Sequence, residues 1–229
     1  MGLAWVRRLG HTVHPTYPAL TPLTSSTTLH GHLSGVSLTV TIRAERFETT
    51  GGFLFTHRGY SGPAVLDCSH LVTRAQLDGC PAPRLTVQWS AWNEQEWAEA
   101  LRSGRGNLGP FVAKSIPARL GAQLLIEADV AHDRPLAQLT RSERTAVAGV
   151  LGAYPLSVTG DEGYKKAEVT GGGVALTEVD PRTMESRLHA RLFLCGEMLD
   201  AFGPIGGYNF QWAWTTGRAA GLGAAHHSS

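Results

Sequence analysis

The stretch GEMLDAFGPIGGYNFQ, residues 196–211, crowds glycines, two carboxylates and two side-chain amides into one turn region. Glu197 and Asp200 suit the hydroxyls of a ribose or ribityl chain if they project from the carboxyl end of a short apolar strand, read here over 191–195. Gly196 allows that strand to turn or to lie against a ligand with no Cβ in the way. Gly206 and Gly207 then open a helix whose first N–H groups lack intrahelical partners and favour an anionic or electron-rich edge, such as the pyrimidine edge of a reduced flavin. Asn209 and Gln211 stand where they can add hydrogen bonds to the ring. A plain tight loop, with Trp212 and Trp214 filling the core, is the competing reading of the same glycines.

Other reactive side chains are more scattered. His57, at the end of the strand GFLFTH and beside the glycine turn of RGYSGP, fits a proton donor near neutral pH or a structural turn residue. Thr170, ahead of three glycines, either faces a ligand or simply ends a strand. His30-x-His32 has the spacing of a metal pair, but no acid or third histidine stands at ligand distance in sequence, so a solvated loop is expected and no metal. Ser61 lies in G-Y-S-G-P, where proline replaces the last glycine of a nucleophile elbow, which excludes a serine hydrolase built on it. Cys195 reads as a packing residue on a buried strand.

The elements that must position these groups follow from periodicity. LAWVRRLG reads as the last turns of a helix with Gly10 past its end, and HTVHPTYPALTPL as an extended stretch broken by prolines. Val36, Leu38, Val40 and Ile42 alternate with polar residues as a half-buried strand, GFLFTH pairs with it in a hairpin, and LTVQWS is a further strand. SGPAVLDCSHLV predicts a helix capped by Ser61. Asn93/Glu96 and Thr140/Glu143 have capping-box spacing, and Ile116, Leu120, Leu124 and Leu125 share a helical face. Short strands LSVTG, AEVT and RLFLC follow, and a closing helix runs from about 207 to 221.

Charge excludes little and favours less: 20 Lys+Arg against 19 Asp+Glu gives no strong nucleic-acid signal and no case for an anionic membrane. The 3 cysteines form neither a disulfide framework nor a zinc motif, so a reducing, cytoplasmic setting is expected. No apolar run is long enough to span a bilayer.

LFLCGEMLDAFGPIGGYNFQWAWTTGRAAG resembles the carboxyl-terminal flavin motif of the BaiN-like, or aminoacetone-oxidase-like, family of NAD(P)/FAD-dependent oxidoreductases. EVTGGGVALTEVDPRTMESR, GFLFTHRGYSGPAVLDCS and LGHTVHPTYPALTPL are similar to three further family segments, in family order. The resemblance implies α+β or α/β architecture: a partial Rossmann-like FAD domain carrying an inserted β-rich and helical domain. It divides the chain into 1–25 as the end of a first FAD-domain section, 26–165 as the insert with its helical part at about 93–153, and 166–229 as the returning FAD-domain section. Gly196, Glu197 and Asp200 then serve the ribityl and phosphate side, and Gly206, Gly207, Tyr208, Asn209 and Gln211 the isoalloxazine edge. FAD is the implied cofactor and NAD(P)H the possible reductant; the substrate stays open between a small molecule and a nucleobase.

The family's opening strand–GxGxxG–helix unit is not read in the chain. Three charge-assisted hydrogen bonds to a pyrophosphate, at about 1.5–3 kcal/mol each, correspond to roughly 10³- to 10⁶-fold in affinity. A truncated chain that holds FAD weakly or not at all alone, and that pairs with a complementary N-terminal fragment, is therefore the expectation.

Overall fold

The computed structural model describes residues 2–26 and 30–226. Its strands are β1 (Val13–Ala19), β2 (Leu23–Thr24), β3 (Ser37–Ala44), β4 (Phe47–Phe55), β5 (Gly59–Ser61), β6 (Thr86–Gln88), β7 (Tyr154–Pro155), β8 (Gly160–Asp161) and β9 (Val169–Val174). Seven of them form an antiparallel sheet in the order β7-β6-β3-β4-β5-β2-β8, while β1 and β9 pair separately.

In β3, Val40 and Ile42 turn into the core while Ser37, Thr39 and Arg43 face solvent, as a period of two requires. β4 begins at Phe47, ahead of the expected GFLFTH, so Gly51 and Gly52 lie inside the ladder. The reason is packing: helix α2 (Pro63–Leu77) starts directly over them, and a Cβ on Gly52 would come within 3.2 Å of Pro63 Cδ. The N-cap of α2 is Gly62, not Ser61, which is the last residue of β5. Gly62 has φ +97° and a Cβ there would meet Gly52 O at 2.6 Å, so only glycine closes this strand-to-helix turn without strain.

A helical lobe follows: α3 (Glu94–Ser103), α4 (Leu108–Val112), α5 (Ala118–Glu127) and α6 (Arg141–Gly152). Both capping boxes form, at Asn93/Glu96 and Thr140/Glu143, and Ile116, Leu120, Leu124 and Leu125 are all buried. One apolar cluster joins this lobe to the sheet through Phe53, Phe55, Tyr60, Trp89 and Trp97. His30 is buried there rather than solvated: its ring bonds Tyr60 Oη and Glu127 at 3.1 and 3.0 Å, and Tyr154 Oη donates to Glu127 at 2.7 Å. No group of three or more metal-ligating side chains occurs among the described residues.

A second cluster, with Val6, Val174, Val179, Leu194, Leu199 and Ala220, joins helix α1 (Gly2–Arg8), β9 and helix α7 (Tyr208–His226). Three expected strands change here or nearby. LSVTG is mostly irregular between β7 and β8; β7 lies at a sheet edge, where Pro155 needs no donor. AEVT extends into β9 through the glycines: a Cβ on Gly171 would strike the Tyr17 ring, and one on Gly173 would lie 2.6 Å from Met198 O. RLFLC forms no strand. Arg191 and Gly196, both at φ +67°, bracket it, and Phe193 makes a lone bridge to Glu185. No helix among the described residues is long and apolar enough to cross a membrane.

Candidate functional site

A cleft of about 210 Å³ opens where the end of β1, the start of β9, the turn at Glu197 and the entry to α7 converge. Gly196 builds this junction. Its buried N–H donates to Thr216 Oγ1 at 2.9 Å and its carbonyl accepts Trp212 Nε1–H at 3.2 Å, so α7 is bonded to the turn that carries Glu197. Glu197 lines the cleft, and its Oε1 accepts the Thr170 N–H at 2.5 Å. Gly206 and Gly207, at φ +121° and +92°, bring the chain into α7 along the cleft wall. Gln211 N–H is bonded to Gly207 O at 3.0 Å, so the N–H groups of Tyr208, Asn209 and Phe210 form the open first turn.

Of the residues singled out by sequence, Glu197, Gly206, Gly207 and Asn209 line the cleft. Asn209 is engaged by the protein: its Oδ1 accepts Gly203 N–H at 2.8 Å and its Nδ2 donates to Gly203 O at 3.0 Å, clamping the loop before α7. Tyr208 and Gln211 point to solvent, and Gly196 and Thr170 support the cleft without lining it. Asp200 does not line the cleft: the bridge of Leu199 to Val174 and its own N–H bond to Val174 O hold it beside β9, with its carboxylate 3.9 Å from His14. His57 is exposed in the turn between β4 and β5, where Thr56 Oγ1 accepts the Arg58 and Gly59 N–H groups, and it does not line the cleft. Cys195 is exposed, not packed, and Trp214 is 73% exposed, which removes the core-filling explanation for that residue.

Sequence reasoning passed over three features. Asp67 on α2 reaches the α7 loop, its Oδ1 accepting the Ile205 N–H at 2.7 Å, and His70 one turn later packs edge-on against Phe202 at 5.6 Å. Their spacing of three on a helix was the available signal. Second, Ser186, His11 and Glu178 stand in line, with Ser186 Oγ 2.9 Å from His11 Nε2 and His11 Nδ1 2.8 Å from Glu178. Ser186 is buried and its Oγ also accepts N–H bonds from Leu188 and His189, so the line ties LGHTV to TMESR and leaves no free nucleophile. Third, G-x-G-x-x-G spacing does occur at Gly104–Gly109, but between α3 and α4 with no strand before it, and a Cβ at Gly109 would strike the His132 ring. It is a turn between helices, not a pyrophosphate cradle.

A family model described as the HI0933-like protein Rossmann domain matches residues 1–223. The chain belongs to that family. This is the FAD-binding oxidoreductase family whose motifs the sequence resembles. It is 33% identical over 228 residues to the ribosomal RNA dihydrouridine synthase of Haemophilus influenzae, covering 96% of this chain and 55% of that protein. The Escherichia coli protein of the same name is 36% identical over 220 residues, 94% of this chain and 54% of the relative. A 3-dehydro-bile acid delta(4,6)-reductase of Clostridium scindens is 30% identical over 237 residues, 98% and 57%. The chain thus spans about half the length of the curated relatives it matches.

Proposed function

We propose that this chain supplies the isoalloxazine side of an FAD site in an oxidoreductase that moves hydride between NAD(P)H and an organic acceptor. The observation that carries the reading is the convergence of Glu197, the Gly206-Gly207 entry to α7 and Trp212 on one cleft. These residues fit the group: apolar walls from Trp212, Phe202 and Ile205 suit a flat ring, and a Cβ at Gly207 would meet nothing, so that side of the entry is open. FAD, when bound, supplies the two-electron chemistry. The chain's own contribution is electrostatic and positional. The open first turn of α7, a helix of 19 residues, favours negative charge on the ring edge nearest it. Glu197 keeps one oxygen on Thr170 N–H and offers the other to a ribityl hydroxyl.

The relatives' names support reduction as the reaction class, since one is a reductase and two make dihydrouridine; the acceptor here is a small molecule or a nucleobase. A cytoplasmic setting accords with the three unpaired thiols. The test is quenching of flavin fluorescence during titration with FAD. Glu197→Ala should weaken binding on the order of tenfold or more; unchanged affinity would place the flavin elsewhere.

A second reading, that the chain is one half of a site completed by a complementary N-terminal fragment, is favoured by one surface. Trp5 on α1 and Tyr208, Phe210 and Trp214 on α7 are more than half exposed, although α7 buries Thr216, Ala220 and Gly223. Rings of this size carry much of the apolar area that packing normally buries. The occupant proposed is the opening section of the same flavin domain, and the length of the relatives supports it.

A further inference from the structure

Beside the flavin cleft lies another of about 420 Å³, between α2 and loop 202–204, lined by Phe47, Thr49, Asp67, His70, Phe202 and Pro204 among others. The two clefts share Leu20 and Phe202 as a common wall. That wall is fixed from both sides: Asp67 holds Ile205 N–H from α2, and Asn209 clamps Gly203 from α7. His70 Nδ1 lies 2.8 Å from the Asp67 carbonyl oxygen, which can only accept, so Nδ1 carries the proton. Nε2 is left as an acceptor with no partner among the described residues. The ring sits edge-on to Phe47 at 5.4 Å and Phe202 at 5.6 Å. Burial pushes the imidazole below its ordinary pKa, with Asp67 opposing and Arg74 reinforcing the shift.

We propose that this cleft is a separate ligand subsite, for a flat, unsaturated, uncharged ring that lies against Phe202 and donates an N–H or O–H to His70 Nε2. The Leu20–Phe202 wall keeps such a ring out of contact with a flavin in the neighbouring cleft, so the subsite takes no hydride from it and stands whether or not flavin binds there. Phe47 and Phe202 favour a planar ring. The Asp67 carboxylate in the lining disfavours an anion inside the cleft, the Glu48 carboxylate being paired with Arg43, so any phosphate on the bound molecule stays outside it. A neutral imidazole with Nδ1–H engaged has a lone pair to offer, and selects a ring bearing a donor.

The test uses the 229-residue chain labelled with ¹⁵N-histidine, its His70 signals assigned by their loss in His70→Phe, and two probes, 2-pyridone and N-methyl-2-pyridone. Imidazole spectra at neutral pH should show the Nδ1–H tautomer. 2-Pyridone should shift the Nε2 resonance and bind on the order of tenfold more tightly than its N-methyl analogue. His70→Phe keeps the aromatic packing and should lose that preference, while His70→Gln should restore part of it. Equal binding of the two probes, an Nε2–H tautomer, or an undiminished preference in His70→Phe would overturn the subsite. Riboflavin titration of the same samples separates the two claims. Riboflavin binding without pyridone selectivity overturns the subsite alone, and pyridone selectivity without riboflavin binding overturns the flavin reading alone.

Discussion

At the scale of single residues, the cleft depends on side chains that hold backbone as much as on those that face a ligand. Asn209 satisfies both the N–H and the C=O of Gly203. Asn209→Ala should therefore cost about 1–2 kcal/mol and loosen loop 202–205, read as a lowered Tm and faster proteolysis at that loop. Glu127 makes a pH-dependent contribution. Burial alone would raise its carboxyl, but hydrogen bonds from His30, Tyr154 and Gln123 outweigh this and hold it at about 2. A depressed carboxylate stabilises the fold above its unfolded value near 4.5 and loses that contribution as pH falls through about 2. The Tm gap between the native chain and Glu127→Gln should be full at neutral pH and close across that window; a gap independent of pH would contradict it. Nothing near His30 or Glu127 in sequence announces this network, because its members are brought together from β5, α5 and β7.

At the scale of elements, what was legible was local. The capping boxes and the apolar face of α5 are written within a few residues of each other, and both form. The start of α7 was legible for the same reason. RLFLC was not, since left-handed residues at 191 and 196 leave too little chain for a ladder. The contact of Asp67 with Ile205 spans 138 residues, beyond any periodicity, so the α2 side of the site could emerge only from the fold. Two glycine substitutions separate backbone demand from mere presence. Gly62→Ala combines φ +97° with a Cβ placed 2.6 Å from Gly52 O, and should destabilise by about 2 kcal/mol or more in urea unfolding. Gly217→Ala, inside α7 with open space around it, should stabilise by about 0.5–1 kcal/mol. Equal effects would mean that the turn before α2 is not held as described.

At the scale of the whole molecule, the chain joins a sheet-and-helix body to a smaller cluster whose long helix presents aromatic rings outward. Trp214→Glu should leave Tm nearly unchanged while reducing self-association in sedimentation, because the ring buries little within the chain. If Trp214 were instead part of the core, the same change would unfold the protein. The central claim, that the 196–213 region holds the ring end of a flavin while the pyrophosphate end is not gripped by the described residues, is tested most directly by titrating the chain with riboflavin and FAD in parallel. The account predicts quenching of both with affinities of the same order, and loss of both in Gly207→Val, whose φ of +92° a β-branched residue resists. FAD binding tighter than riboflavin by the roughly 10³-fold or more that a pyrophosphate cradle provides, or affinities indifferent to Gly207→Val, would contradict it.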